Sequence, residues 1–424
     1  MKEYYSISEV ADLLGKSKET LRRWDNSGKL TAVREPMSNY RVYKKEQLKI
    51  FDELDFLFNQ NENSNYTGAD HYYSVLELFA GAGGLAVGLE QAGLKCVALN
   101  EIDHWAAETL RNNRPQWKVI EDDIRQVSFS DYRNKVDVVT GGFPCQAFSY
   151  AGKKLGLEDA RGTLFYEFAR VVDEVRPLIC VGENVRGLLN HDEGRTLEGM
   201  KSILDEIGYK PVDPRILKAI FYKVPQKRER LILVGIRKDI DLDFYFPKPY
   251  QKIYTLKDAL KAGELFSTDV PESEGTKYPI RKKEILDKVP PGGYWRDLPL
   301  DLQKEYMQKS FYLGGGKTGM ARRISWDEPS LTLTCSPAQK QTERCHPDET
   351  RPFTVREYAR IQTFPDDWQF AGSVSSQYKQ IGNAVPVNLG KEIGYSIVEF
   401  LNKTYSKFDL KEKEFDLDQV EMKF

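Results

Sequence analysis

Between Ser74 and about Lys238, short apolar runs alternate with amphipathic stretches, and this alternation restricts the possible folds more than any other feature of the chain. Residues 75–79, 96–99, 136–139, 178–181 and 231–234 read as buried strands with helical pieces between them. The pattern predicts an open, parallel, Rossmann-like α/β sheet, whose ligands lie beyond the carboxyl ends of the strands. After Lys238 the regularity fades into loops such as Val289-Pro-Pro-Gly-Gly-Tyr-Trp295. Helical patterning returns at 354–362 and 389–401.

With 424 residues the chain can hold two or three structural units. No apolar run approaches the ~18 residues of a membrane span and the start lacks a signal peptide's apolar stretch, so a cytoplasmic protein without a membrane partner is expected. Five cysteines, odd in number and without a C-x-x-C pair, fit neither a disulfide framework nor a four-thiolate zinc site. Cys335, Cys345 and His346 have a spacing that suits no common zinc site, so no metal is expected. Lys plus Arg number 62 against 64 Asp plus Glu, and any contact with nucleic acid must therefore come from local patches.

One patch is N-terminal, where residues 1–50 carry eleven Lys/Arg against seven Asp/Glu and residues 51–70 carry five acids and no base. Ser6-Ile-Ser-Glu9 is a capping box that opens a helix to about Leu14. Gly15-Lys-Ser17 makes a turn, and a second helix over 18–26 closes at Gly28. The second helix carries Lys18, Thr20, Arg22 and Arg23, and Arg41-Val-Tyr-Lys-Lys45 forms a basic strand or wing beside it. A solvated amphipathic helix pair is the alternative. The order of these motifs resembles the winged helix-turn-helix modules of the mercury-resistance-regulator (MerR) and excisionase group. That resemblance implies DNA binding through Lys18, Thr20, Arg22, Arg23 and Arg41, with repression of the protein's own gene as a hypothesis. The Asn-rich stretch Phe58-Asn-Gln-Asn-Glu-Asn-Ser-Asn-Tyr66 reads as a linker.

In the main body, Phe79-Ala-Gly-Ala-Gly-Gly84 follows a strand and precedes a helix, where absent side chains let a ligand approach backbone amides. Gly-rich turns also merely pack helices on strands. Glu101 follows the next strand, at the position that holds ribose hydroxyls in such sheets, and Asp123 is placed to accept an adenine amino hydrogen. Without a Walker lysine, this set favours an adenosine cofactor over a nucleoside triphosphate. The run Gly141-Gly-Phe-Pro-Cys-Gln-Ala-Phe-Ser149 presents Cys145 at a strand's carboxyl end, whereas Cys96 and Cys180 sit inside apolar strands. A thiol of pKa ~8.5 is only about a few per cent thiolate near neutrality, yet it is the best side-chain nucleophile available. Glu183-Asn-Val185 and Gln226-Lys-Arg-Glu-Arg230 point to the same rim. A carboxylic acid with Arg228 and Arg230 beside a thiol suits attack on an electron-poor ring. A surface salt-bridged pair is the alternative for the two arginines.

In this order, together with Arg351-Pro-Phe-Thr-Val-Arg-Glu-Tyr-Ala-Arg-Ile-Gln362 and Gln380-Ile-Gly-Asn-Ala-Val-Pro386, these runs resemble the DNA cytosine-5 methyltransferases of bacterial type II restriction-modification systems. The likeness extends from about Ser74 to Leu401. It implies Cys145, Glu183, Arg228 and Arg230 as catalytic residues acting on a flipped cytosine in double-stranded DNA. It also implies S-adenosyl-L-methionine held by Phe79, Ala80, Gly81, Gly83, Gly84, Leu85, Glu101, Ile102, Asp123, Ile124, Pro144, Leu164, Asn383 and Val385. Gln146, Ser149, Arg322, Arg323, Thr332 and Leu333 are then expected at the DNA, and Arg344 is a further arginine able to meet guanine or phosphate. Lys218, Phe221 and Lys223 depart from the family's more usual Asn, Asp and Gly.

The implied organisation is a helix-turn-helix module at 1–55, a linker at 56–73 and a catalytic methyltransferase domain at 74–240. A smaller target-recognition domain follows at 241–366, a C-terminal return to the catalytic domain at 367–402 and a tail at 403–424. A cognate restriction endonuclease would act on the same site without needing to bind. A monomer is expected on the methylation target, and a dimer through the N-terminal module stays open. An RNA cytosine methyltransferase, or a regulator with an inactive methylase body, are the alternatives.

Overall fold

The computed structural model describes residues 3–35, 39–58, 66–144, 163–314 and 317–411. The chain divides into two compact units, one of residues 1–65 with 248–251 and one of 66–247 with 252–424.

In the small unit, β1 (Tyr4–Ser6) leads into α1 (Ile7–Leu14) and α2 (Lys18–Asn26), and β2 (Val33–Arg34) and β3 (Arg41–Lys44) complete a three-stranded sheet ordered β1-β3-β2. The capping box forms as expected: Glu9 N–H donates to Ser6 Oγ at 3.3 Å and Ser6 N–H to Glu9 Oε2 at 2.9 Å. Ser17 caps α2 by accepting from Thr20 N–H at 3.0 Å. Val10, Leu13, Leu14, Leu21 and Leu48 form the buried side.

The large unit is built on a seven-stranded sheet. In chain order its elements begin with β4 (Ser74–Leu78), α3 (Gly84–Gln91), β5 (Lys95–Glu101), α4 (His104–Asn113), β6 (Lys118–Glu121), β7 (Val138–Gly141) and α5 (Leu164–Val175). There follow β8 (Ile179–Val185), α6 (Arg195–Glu206), β9 (Tyr209–Lys218), β10 (Gln226–Lys227) and β11 (Glu229–Arg237). The sheet order is β6-β5-β4-β7-β8-β11-β9. The expected parallel sheet is therefore a mixed one: β11 runs antiparallel to both β8 and β9. This reversal puts the start of β11, not its end, at the carboxyl rim.

Beyond β11 lie α7 (Leu256–Leu260), α8 (Ile280–Leu286), α9 (Leu300–Met307) and β12 (Ser330–Leu331), which pairs in parallel with β10. This region has its own apolar cluster, including Leu286, Trp295, Met307 and Ala321, but belongs to the same compact unit as the sheet. The chain then returns through α10 (Val355–Ile361), α11 (Val374–Asn383) and α12 (Val387–Phe408). The C-terminal helix thus runs past Leu401 into residues read from sequence as tail.

Residues 66–73, read as linker, lie against α12. Tyr66 stacks on Tyr395 with centroids 4.3 Å apart, and Tyr73 Oη donates to Asn402 Oδ1 at 2.6 Å. Helices α3 and α12 cross closely because Gly88 lacks a side chain; a Cβ there would lie 2.5 Å from Lys391 N. No helix of the described residues is long and apolar enough to cross a membrane.

Candidate active site

A cavity of about 940 Å³ opens at the carboxyl ends of β4, β5, β7 and β8, where an α/β sheet is expected to bind ligands. Phe79, Ala80, Gly81, Gly84 and Leu85 line it from the turn before α3. Phe79 takes φ +56, a left-handed conformation that costs a non-glycine residue about 1–2 kcal/mol. Gly84 is required by packing: a Cβ there would overlap the Val385 carbonyl oxygen. Gly83 does not line the cavity; a Cβ at that position would meet Leu110 and Trp368 at 2.8 and 3.1 Å. The missing side chain at this position makes room for Leu110 and Trp368.

Glu101 ends β5 and accepts from Gly81, Ile102 and Asp103 N–H at 2.7, 2.9 and 2.8 Å. Burial lifts its carboxyl above the usual range against the pull of these amides. Ile102 beside it is 66% exposed, an apolar surface open to a planar ligand. The Arg125 guanidinium, bonded to Asp123 at 2.9 Å, holds that carboxyl below the usual range. Ile124, Pro144 and Leu164 line the same cavity, and Asn383 and Val385 reach it from the C-terminal return.

At the other side of the cavity stand Glu183 and Arg230. Glu183 pairs across the sheet with Ile232, so Arg230 is its diagonal neighbour on the same face. The two side chains form an ion pair and are about nine-tenths buried. The surface-pair alternative for the arginines is thereby overturned. Asn184 Nδ2 donates to the Phe143 carbonyl oxygen at 2.8 Å and so ties the Phe143-Pro144 turn to β8. Cys145, Gln146 and Ser149, which follow that turn, lie outside the described residues.

Arg228 lines the cavity but is 2% exposed. Its guanidinium donates to the carbonyl oxygens of Leu333, Gly382 and Asn383 at 3.2, 3.0 and 3.4 Å. Burial lowers its pKa to about 9. These bonds hold the 332–335 segment to the end of α11.

Residues 73–399 match the family model of C-5 cytosine-specific DNA methylases. The chain belongs to that family. Residues 6–43 match the model of MerR family regulatory proteins. The chain is 67% identical over 405 residues to the type II methyltransferase M.Eco47II of Escherichia coli, covering 95% of this chain and 97% of that one. It is 58% identical over 402 residues to the type II methyltransferase M.PspPI of Psychrobacter sp., covering 94% and 97%. A solved structure from E. coli, described as a DNA modification methyltransferase encoded within a prophage, shares the fold with a TM-score of 0.57. Its identity is 24%, over 78% of this chain and 99% of that one.

As a DNA methylase the chain must read bases around its cytosine, and two expected readers are excluded by burial. Arg323 is 4% exposed and donates to the carbonyl oxygens of Leu286, His346 and Pro347 at 2.9, 3.1 and 3.2 Å and to Thr350 Oγ1 at 2.6 Å. Arg344, equally buried, donates to the Thr332 carbonyl oxygen at 2.6 Å. Both are internal struts of the region. Arg322 is partly buried with Glu328 3.8 Å away. Thr332 and Leu333 line the cavity, and Thr332 Oγ1 donates to the Lys227 carbonyl oxygen at 2.6 Å.

In the MerR-like unit, Lys18, Arg22 and Arg23 are exposed on α2 and Thr20 is half-buried. Arg41, expected at DNA, is engaged by Asp25: its Nε donates to Asp25 Oδ2 at 2.7 Å and fastens the wing to α2.

Sequence reasoning missed Glu77 and Cys335. Glu77 is buried on β4, lines the cavity, and its Oε2 has no hydrogen-bond partner among the described residues. Burial pushes its pKa up to about 8. Its signal was a carboxyl inside an apolar run. From sequence Cys335 suggests only a zinc ligand, yet its thiol is exposed and lines the cavity. Among the described residues no group of three or more His, Cys, Asp or Glu is placed to hold a metal ion.

Proposed function

We propose that this methylase is a type II modification enzyme. It moves a methyl group from S-adenosylmethionine to carbon 5 of a cytosine everted from duplex DNA, shielding its target from a restriction endonuclease of the same specificity. The type II names of the relatives support the first part. The observation that carries the chemistry is the Glu183–Arg230 pair on the wall of one cavity shared with Phe79, Glu101 and Asp123.

The cavity suits an adenosine that carries a sulfonium or thioether substituent. Its apolar walls suit the base and the sulfur substituents, while Glu101 and Asp123 offer acceptors for ribose hydroxyls and an adenine amino group. When bound, S-adenosylmethionine supplies an electrophilic methyl group. The chain's residues make the other partner nucleophilic. Cys145, just past the turn fixed by Asn184, adds as thiolate to carbon 6 of the cytosine. Glu183, oriented by Arg230 and carrying a proton taken up from solvent, donates that proton to ring nitrogen 3 and so neutralises the charge that addition builds there. Carbon 5 gains electron density, accepts the methyl group and then gives its proton to water; that electron pair restores the 5,6 double bond, the carbon 6–sulfur bond breaks to release Cys145 as thiolate, and ring nitrogen 3 returns its proton to Glu183. Arg228 keeps the 332–335 segment against this site. Eversion costs a few kcal/mol of stacking and pairing, offset by contacts to the strand backbone.

Residues 241–366 serve as the target-recognition region and 1–55 as a DNA-binding module whose α2 face, with Lys18, Thr20, Arg22 and Arg23, meets the duplex. Autoregulation is the role we assign that module; unchanged expression from the protein's own promoter after deletion of residues 1–60 would remove it. Bisulfite sequencing of DNA from cells expressing the chain tests the central reading. Protected cytosines within one recurring sequence are expected, and uniformly converted DNA would overturn it.

A further inference from the structure

We infer that Cys335 is a positioning residue that fixes the Asn383 carboxamide for the carboxylate of the cofactor's amino-acid head; this rests on the cofactor reading above. The Cys335 thiol donates to Asn383 Oδ1 at 3.1 Å, and both residues line the cavity. With its oxygen so engaged, the carboxamide keeps Nδ2 as a donor that has no partner among the described residues. The backbone around the pair is closely packed and hydrogen-bonded. Arg228 holds the Gly382 and Asn383 carbonyl oxygens, and a Cβ on Gly382 would lie 2.8 Å from Cys335 N. The side-chain amide is therefore the adjustable element.

An asparagine amide can turn end for end, and its orientation is set by its hydrogen-bond partners. As donor to Oδ1 the thiol favours the state that offers N–H to the cavity; without that contact, the oxygen is free to face a carboxylate and repel it. A second observation points to the same class of ligand. Glu77 Oε2 is buried, unpartnered among the described residues, and lines the same cavity. A free amide donor and an unpaired carboxyl in one cavity complement a ligand that carries both carboxylate and ammonium, an amino-acid head, whose positive charge favours the ionised form of Glu77.

The test is calorimetric binding of S-adenosylhomocysteine and of 5′-methylthioadenosine, which lacks that head, to the full-length chain. Cys335→Ala should weaken S-adenosylhomocysteine about three- to ten-fold, the size of one lost neutral hydrogen bond. Cys335→Ser, which keeps a donor, should stay near wild type, and all three proteins should bind 5′-methylthioadenosine alike. Unchanged S-adenosylhomocysteine affinity in Cys335→Ala, or equal weakening of both ligands, overturns the inference. Failure of the wild-type chain to bind either ligand instead removes the cofactor reading. Should Cys335→Ala not fold, the Cys145→Ser chain is treated with iodoacetamide, whose iodide the Cys335 sulfur displaces to form a thioether. S-adenosylhomocysteine should slow that labelling more than 5′-methylthioadenosine does, and equal rates overturn the inference.

Discussion

Replacing Arg323 by alanine separates a structural arginine from a base-reading one. The side chain is buried and satisfies four acceptors on three segments, at Leu286, 346–347 and Thr350. Truncation removes a charged donor set and strands the His346 and Pro347 carbonyl oxygens away from water, while the Leu286 carbonyl oxygen keeps its bond from Val289 N–H at 3.0 Å. A buried acceptor without its partner costs about 1–3 kcal/mol, and a cavity adds to this. Non-additivity keeps the total at roughly 3–5 kcal/mol. Urea unfolding followed by tryptophan fluorescence should show that loss, and Arg323→Lys should fall between, since one ammonium cannot reach all four acceptors. The folded fraction should methylate the same sequence as wild type. A variant of undiminished stability that methylates relaxed sites would refute the reasoning and return Arg323 to the DNA.

Glu77 makes stability depend on pH. Folding raises its pKa from 4.5 to about 8, so its contribution is fully present below 4.5 and is lost as pH rises through 8, on the order of 3–5 kcal/mol in all. The ligand-free chain should unfold in less urea at pH 8 than at pH 5.5. Glu77→Gln should flatten that difference; parallel curves would contradict it. Gly84→Ala should destabilise by about 1–3 kcal/mol through overlap with Val385, whereas Gly81→Ala, with no atom within 4 Å but φ +55, should cost about 1–2 kcal/mol from backbone strain; the reverse order in thermal melts would sink this reading of the turn. Arg23→Ala should weaken binding to duplex lacking a methylation target and reduce the salt slope by about one, as loss of one phosphate contact requires. An unchanged slope places that residue away from phosphate.

The rim of the sheet was legible because each chemical group follows or precedes an apolar strand. Glu101 and Glu183 lie where the ends of 96–99 and 178–181 put them. Strand direction was not legible: apolar composition is the same in either direction, so β11 reads as parallel although its reversal is what brings Arg230 to Glu183. The edge strands β6 and β9 escaped because edges need not be apolar; β9 carries Pro211, Asp213, Pro214 and Arg215. The recognition arginines misled for a different reason. Their acceptors are backbone carbonyls from segments distant in sequence, such as Leu286 for Arg323, and a carbonyl leaves no trace in residue type.

The most direct measurement is incubation of the chain with S-adenosylmethionine and a duplex carrying 5-fluorocytosine at the methylated position. Fluorine removes the proton whose loss frees the enzyme, so wild type should form a stable protein–DNA adduct at Cys145, identifiable by peptide mass. Cys145→Ser should form none while still binding S-adenosylhomocysteine. An adduct at another residue, or methyl transfer by Cys145→Ser near the wild-type rate, would contradict the account.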